Sequence, residues 1–426
     1  MSCSRRLFIS LLSLIFIAQP MQAAAEDAEN LFSQFKNALV QIKSINIESG
    51  QKSSIGTGFF ISEEGYLATN YHVISDAIQS PKQYRLEYVD HNDKAYAVIP
   101  IDIDVINDLA ILKTDHSPER HFILGASAPK KGEELFALGN PLDLGMLMVP
   151  GTYNGLKAKS FYQRINFTGS LNPGMSGGPT VNKDGEVVGV NVSTAGNQLS
   201  FLVPVSKLAQ LKSDASSIDI DDLNEDFFTA RVLAQLTQNQ QQLYAQIARY
   251  DWSSNTVGNI SIPAEIAEFM PCWGDSNQDR EKMQFTETTT NCRLNDNIFI
   301  SSSFMTGSVN VNFNWIQSDK LLPMQLASLL QSKMNNRFIQ SSIGPEEVTN
   351  FHCQQAIIEN AHNTVSKGTT CVRAYRKYEG LYDVRFSSVL LQAPDESLIA
   401  SYSLVGVSEQ VAGDFFEKFM ESVKWN

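Results

Sequence analysis

The sequence predicts an all-β domain in the first half of the chain, followed by a long helix and a smaller α+β domain. Three observations support this prediction. Between about residues 40 and 210, short apolar segments alternate with turns, a spacing typical of a β-barrel or β-sandwich. Over residues 232–250, apolar side chains recur at helical intervals. Beyond about residue 256, strand-like and helix-like segments alternate, and 426 residues are enough for two domains.

The first 25 residues have the pattern of a secretory signal peptide. Arg5 and Arg6 precede an apolar run over residues 7–18, and three alanines at 23–25 provide small residues for cleavage. A single membrane anchor is the alternative, but the run is short for a span and Pro20 follows it closely. We therefore expect an exported protein with no stable membrane span after cleavage.

The composition indicates a globular protein with an acidic surface. Hydrophobic residues make up 43% of the chain and charged residues 19%, and the net charge is −13 with a pI near 5.0. Recognition of nucleic acid requires a basic face, and no run of lysine or arginine provides one. We expect no nucleic-acid partner.

Four cysteines remain once the signal peptide is removed, and an even number in an exported chain predicts two disulfides. They are Cys272, Cys292, Cys353 and Cys371. The sequence allows three pairings, of which we favour the two local ones, first with second and third with fourth. The alternative is a metal site formed by Cys353 with His352 and His362. No zinc-ligand spacing repeats, so no metal is expected.

The expected domains have boundaries where the composition changes. The β domain covers residues 26–211. An acidic, serine-rich linker and an amphipathic helix ending near Tyr250 occupy 212–255, and the α+β domain covers 256–426. The last of these ranges contains no nucleophile motif, phosphate loop or metal-ligand spacing.

A glycine-rich stretch over residues 171–179 surrounds the candidate nucleophile, Ser176. Attack by a serine hydroxyl requires a tight turn without Cβ atoms and backbone N–H groups directed at the oxyanion that forms. Gly174 and the pair Gly177-Gly178 allow such a turn, and the N–H groups of Gly174 and Ser176 are the candidate oxyanion hole. The alternative is a hairpin turn with an incidental serine.

His72 and Asp108 are the candidate base and its partner. His72 directly follows a predicted strand and begins a helical turn, and Asp108 stands at the start of an apolar strand. A general base needs a partner that fixes its tautomer, and a carboxylate at the edge of the core suits that role. Taken singly, each has an ordinary structural interpretation, a satisfied histidine and a capping aspartate. The order His–Asp–Ser within one β domain favours catalysis.

Several segments in the same order resemble the trypsin-like serine peptidases, specifically the bacterial HtrA/Deg branch. They are residues 56–61, 65–73, 108–113, 137–141, 174–179, 185–191 and 201–204. The resemblance implies a chymotrypsin-like double β-barrel, with His72 as general base, Asp108 orienting it and Ser176 as nucleophile. It also implies a bacterial periplasmic or secreted location. Unlike most HtrA proteins, the chain shows no PDZ-like pattern after residue 210.

The resemblance also implies a primary substrate pocket. Ser170 stands where its base is expected, and the strands after Ser176 supply the walls. The wall residues are Val192, Ser193, Thr194 and Phe201. An uncharged pocket would leave a buried lysine or arginine side chain of the substrate without a counter-charge. We expect cleavage after small or medium apolar residues.

The resulting expectation is a serine endopeptidase that acts on protein or peptide substrates through an acyl-enzyme and needs no cofactor. One alternative is a catalytically silent, protease-like scaffold whose C-terminal domain binds a protein partner. Another is a processing protease whose C-terminal domain selects one substrate.

Overall fold

The computed structural model describes residues 30–196, 198–277, 284–294, 296–335 and 343–426. The expected signal peptide therefore lies outside the described residues. The described chain divides into two compact units. Unit 1 contains residues up to 101, 110–156 and 164–217, and unit 2 contains 102–109, 157–163 and 218–426. Two short segments from within the expected β domain are thus grouped with the C-terminal half.

The first sheet of unit 1 has seven strands in the order β5-β4-β1-β2-β3-β7-β6. The strands are β1 Leu39–Asn46, β2 Lys52–Phe60, β3 Tyr66–Thr69, β4 Tyr84–Val89, β5 Ala95–Ala97, β6 Ile99–Asp104 and β7 Leu109–Lys113. Residues 30–35 are helical, and helix α1 (Tyr71–Gln79) follows β3 directly. Aromatic rings fill the core, where Phe122 stacks on Phe35 and meets Phe59 edge-on.

The second sheet of unit 1 is a closed barrel in the order β10-β13-β12-β11-β8-β9. Its strands are β8 Glu134–Gly139, β9 Leu147–Leu156, β10 Ile165–Phe167, β11 Pro179–Val181, β12 Val187–Thr194 and β13 Ser200–Pro204. Helix α2 (Val205–Ala215) follows, and its Lys212 Nζ donates to the carbonyl of Ile61 at 2.8 Å. The two barrel-like sheets confirm the double-barrel prediction.

Unit 2 is built on a seven-stranded antiparallel sheet in the order β16-β17-β20-β24-β23-β22-β21. Its strands are β16 Cys272–Ser276, β17 Thr286–Arg293, β20 Val309–Gln317, β21 His352–Glu359, β22 Val365–Ala374, β23 Tyr382–Leu390 and β24 Glu396–Val407. A smaller sheet and a hairpin contain β14 Ser254–Val257, β15 Ile260–Pro263, β25 Lys424–Trp425, β18 Ile298–Ser301 and β19 Phe304–Thr306.

Helices cover both faces of this large sheet. They are α3 Glu225–Arg249, α4 Pro323–Asn335 and α5 Glu409–Glu421. Phe419 of α5 stacks on Phe313 at 5.5 Å between ring centroids, while Leu326 and Leu330 of α4 pack on Ile399. The combination is the α+β fold expected for the C-terminal half. None of the helices in the described ranges is both long enough and apolar enough to cross a membrane.

The two disulfides are the local pairs favoured by the sequence. Cys272 is bonded to Cys292 and Cys353 to Cys371. Each pair joins residues directly opposite one another, on β16 and β17 and on β21 and β22. Because β16 and β21 are the outermost strands, the disulfides fasten both edges of the sheet. The bond to Cys371 also excludes the thiolate that a metal site at Cys353 would need.

Candidate active site

Ser176 lies in a turn between β10 and β11 that only glycines permit. Gly174 and Gly177 have φ values of +95° and +83°, in the left-handed region that side chains disfavour. A Cβ on Gly174 would collide with the carbonyl oxygen of Asn140, and a Cβ on Gly177 with the Oγ1 of Thr69. The glycines therefore serve both the backbone conformation and the close packing of the turn.

Two N–H groups of this turn have no acceptor among the residues that the structure describes. The N–H groups of Met175, Gly177 and Gly178 donate to backbone carbonyls at 2.9–3.1 Å. Those of Gly174 and Ser176 donate to none within the described chain. Two such donors, two residues apart beside a serine hydroxyl, can stabilise an oxyanion formed at a substrate carbonyl.

A buried threonine orients this turn. The Oγ1 of Thr57 on β2 donates to the carbonyl of Gly174 at 2.7 Å and accepts from the N–H of Asn140 at 2.9 Å. The N–H of Thr57 donates to the carbonyl of Ser176 at 2.8 Å. One residue thus holds the carbonyls on both sides of Met175. The sequence around Thr57, a threonine between Gly56 and Gly58, does not by itself indicate this contact, since Gly174 lies 117 residues further along the chain.

Asn191 fixes the turn to the second barrel. Its buried Nδ2 donates to the carbonyls of Leu138 and Met175 at 3.0 and 3.2 Å, and its Oδ1 accepts from the Oγ1 of Thr180 at 2.6 Å. The side chain of Met175 is fully buried in the barrel core with Phe167. The thioether next to Ser176 therefore serves as core packing and anchors the turn.

The structure brings the segment of His72 to the segment of Ser176. His72 is half-buried in the first turn of α1. A Cβ built on Gly56 would lie 2.5 Å from the Cγ2 of Val73 and 3.1 Å from the carbonyl oxygen of Ser176. A Cβ on Gly177 would lie 2.8 Å from the N–H nitrogen of Asn70. Asn70, two residues before His72, thus lies against the turn that carries Ser176, and Val73 lies against Gly56.

Asp108 directly precedes β7, whose Ala110 pairs with Thr69 at the end of β3. Its φ is +61°, an uncommon value for a residue with a side chain but one that aspartate tolerates better than most. Asp108 belongs to the segment 102–109, which is grouped with unit 2.

A loop over residues 140–146 packs against the turn that carries Ser176. The N–H of Leu142 donates to the carbonyl of Pro173 at 2.8 Å. Leu142 and Asp143 both have positive φ, +54° and +62°. The carboxylate of Asp143 pairs with Lys52 and accepts from the Nε2 of Gln41 at 2.6 Å, and both contacts hold the pKa of Asp143 below its ordinary value.

The expected pocket residues lie at one end of the second barrel. Val192, Ser193 and Thr194 end β12, and Ser193 pairs with Phe201 on β13, next to a bulge that leaves Val192 without a register partner. Ser170 is exposed, and the N–H of the following residue donates to the Oγ of Ser200 at 3.2 Å, which brings this segment to β13. These five residues carry no charge.

Comparisons with known proteins find similarity to serine peptidases over the first half of the chain. Residues 56–190 match the family model described as a trypsin-like peptidase domain. A probable periplasmic serine endoprotease DegP-like of Marinomonas sp. (strain MWYL1) is 35% identical over 183 residues, covering 39% of this chain and 37% of that protein. The human serine protease HTRA4 is 33% identical over 171 residues, covering 37% of this chain and 34% of that protein.

This chain therefore spans little more than a third of the length of the curated relatives it matches. Among solved structures, a serine endoprotease from Yersinia pestis superposes with a TM-score of 0.39 at 23% identity, covering 44% of this chain and 66% of that one.

Proposed function

We propose that the protein is a serine endopeptidase, because residues 56–190 match the family model of a trypsin-like peptidase domain and are similar to parts of DegP-like and HTRA4 proteases. His72, Asp108 and Ser176 act as its triad. The observation that carries the proposal is the pair of N–H groups on Gly174 and Ser176 that have no acceptor in the described chain. Two such N–H groups beside a serine hydroxyl can donate hydrogen bonds to an oxyanion that develops on a bound substrate.

The chemistry proceeds through an acyl-enzyme. The Oγ of Ser176 attacks the carbonyl carbon of the substrate while His72 takes the hydroxyl proton. The oxygen of the tetrahedral intermediate accepts from Gly174 and Ser176. His72 then protonates the amine as the C–N bond breaks, and a water molecule hydrolyses the ester by the same route in reverse. Asp108 keeps His72 in the required tautomer and stabilises its charged form.

The pocket favours small or medium apolar side chains on the acyl side of the cleaved bond. Ser170, Val192, Ser193, Thr194 and Phe201 present no carboxylate to a basic side chain. A peptide library should give hydrolysis mainly after alanine and valine. Preferred cleavage after lysine or arginine would contradict this assignment.

We also propose that the protein works outside the cytoplasm. Its two disulfides suit an oxidising compartment, and the signal-like pattern over residues 1–25 supplies a route of export. Mass spectrometry of the mature protein should find an N-terminus near residue 26. An intact N-terminus in the mature protein would contradict export by cleavage.

Labelling with a fluorophosphonate tests the mechanism, because this probe modifies a serine only when a base and an oxyanion hole activate it. We expect a single adduct on Ser176. The Ser176→Ala variant should give no adduct and no hydrolysis, while Ser213→Ala, on the exposed face of α2, should behave as the wild type. Asp108→Asn should slow hydrolysis on the order of 10⁴-fold.

A folded wild-type protein without an adduct would refute the proposal. The protein would then be a catalytically silent scaffold, the alternative expected from the sequence.

A further inference from the structure

We propose that Arg231 and Gln235 of helix α3 are positioning residues for catalysis, because they hold the chain segment that carries Asp108. This inference rests on the proposed function. It assigns to helix α3 a part in holding the segment of Asp108, in addition to any part of the C-terminal half in choosing substrates.

Arg231 binds the first residue of the segment. Its Nε and Nη2 donate to the Oδ1 and Oδ2 of Asp102 at 2.9 and 2.7 Å, a bidentate pair. The carboxylate of Asp102 is fully buried, whereas the arginine side chain is 34% exposed. A buried carboxylate without its partner would be strongly unfavourable, so this pair keeps Asp102 against α3.

Gln235 binds the next part of the segment through its backbone. Its Nε2 donates to the carbonyl of Ile103 at 2.6 Å, and its Oε1 accepts from the N–H of Val105 at 2.9 Å. Gln235 is four positions after Arg231 in the helix, so both lie on one face. The amide thus pairs with the segment in the manner of a neighbouring strand.

The same face of α3 also contacts residues 157–163, the second segment grouped with unit 2. One helical turn further on, the Nδ2 of Asn239 donates to the hydroxyl of Tyr162 at 3.0 Å, and both groups are buried. The second segment is also held elsewhere in unit 2, where Lys157 and Ser160 contact the carboxylate of Asp296 at 2.8 and 3.1 Å. The polar face of α3 therefore binds both chain segments, 102–109 and 157–163, that interrupt unit 1 in the sequence.

A hydrogen-bonded turn connects the residues held by Arg231 and Gln235 to Asp108. The carboxylate of Asp104 accepts from the N–H groups of Ile106 and Asn107 at 3.0 and 2.9 Å, and from the Nδ2 of Asn107 at 2.7 Å. Asp108 follows with its positive φ. A non-glycine residue keeps such a conformation when its surroundings fix it. From Asp102 to Asn107, every residue has a hydrogen bond that restrains it.

The test measures the rate at which a fluorophosphonate modifies Ser176 in the full-length protein. Gln235→Met keeps the side-chain volume and buries no charge. It should lower the maximal rate about 10- to 100-fold, as expected for a displaced catalytic group. The probe concentration giving half the maximal rate should stay unchanged. Lys333→Met, which removes the ion pair with Glu287 elsewhere in unit 2, should leave the rate at the wild-type value.

A double-mutant cycle separates positioning from a general loss of structure. If Gln235 acts through Asp108, Gln235→Met should have no further effect in an Asp108→Asn background. Arg231→Lys provides a second variant, since it keeps a charge beside Asp102 and loses the bidentate geometry. It should give a smaller fall in rate than Gln235→Met, again only when Asp108 is present.

Two results would overturn the inference while leaving the proposed function intact. One is a wild-type rate in both folded variants. The other is the same fold-change for Gln235→Met with and without Asp108. A wild-type protein that forms no adduct refutes the proposed function and this inference together.

Discussion

The Thr57→Val substitution tests how far a single buried hydroxyl maintains the conformation of the turn that carries Gly174 and Ser176. Valine has nearly the shape of threonine but can neither donate to the carbonyl of Gly174 nor accept from the N–H of Asn140, bonds of 2.7 and 2.9 Å. Gly174 is partly exposed, so water can replace the lost donor. The N–H of Asn140 is buried and would be left unpaired.

The expected loss of stability follows from the surroundings of these two backbone groups. One unpaired buried N–H group costs about 1–3 kcal/mol, and the solvated carbonyl adds little. For a domain of this size, each kcal/mol lowers the melting temperature by about 2–4 °C. Loss of one oxyanion donor slows such enzymes by about 10²–10³-fold, which sets the upper limit for the effect on catalysis. We expect a fall in rate of about 10- to 100-fold.

The assay is the rate of adduct formation on Ser176, measured well below the melting temperature of each variant. Thr57→Ser is the matched control, because it keeps the hydroxyl and loses only a methyl group, and it should react within a few-fold of the wild type. If folded Thr57→Val reacts as fast as Thr57→Ser, the hydroxyl does not orient the turn that carries Ser176, and the reasoning is wrong.

Three further predictions concern other parts of the structure. Gly177→Ala should abolish adduct formation and lower the melting temperature, because it adds a Cβ at a φ of +83° against backbone atoms; a reactive variant would mean that the turn can shift. Asp143→Asn should lower the free energy of unfolding by less than about 1 kcal/mol, because Asp143 and Lys52 are both exposed. The pKa of Asp143 is lowered from 3.8, so urea unfolding should show this difference above pH 4 and lose it as the pH falls through the lowered value. Replacing Cys353 and Cys371 together with serine should destabilise unit 2 by about 2–5 kcal/mol, seen as an earlier calorimetric transition. Adduct formation should be lost over the same temperature range, and its survival beyond that transition would contradict the role given to unit 2.

The features that could be predicted from the sequence are those with a local signature. The glycines around Ser176 indicate a turn that no other residue allows. The two disulfides join residues 20 and 18 positions apart on adjacent strands, so the shortest pairing was also the one formed.

The start of helix α3 has a local signal in the sequence. Asn224 caps the helix through a 2.9 Å bond from the N–H of Phe227, and Glu225 and Asp226 occupy the first turn. Acidic residues are favourable there because of the helix dipole. Because acidic residues are also typical of linkers, the sequence predicts a linker and a helix over 212–255 without fixing the boundary between them.

Contacts between distant parts of the chain leave no such pattern. Asp102 and Arg231 are 129 residues apart, and nothing around either residue indicates a buried partner. Thr57 is hidden for the same reason, since its acceptor at Gly174 lies 117 residues away. The sequence could therefore predict the three candidate catalytic residues but not the side chains that hold them in place.

The grouping of residues 102–109 and 157–163 with unit 2 has a consequence for the order of folding. Their contacts span 129 residues to Arg231 and 136 residues from Ser160 to Asp296. Closing loops of this length is slow compared with forming local structure. During synthesis, the residues up to Ser217 emerge before the helix that anchors Asp108 exists. We expect newly made chains to acquire reactivity at Ser176 only in the last kinetic phase of folding. If the protein has the proposed peptidase activity, such a delay would keep it inactive while its own unfolded segments could still be cleaved.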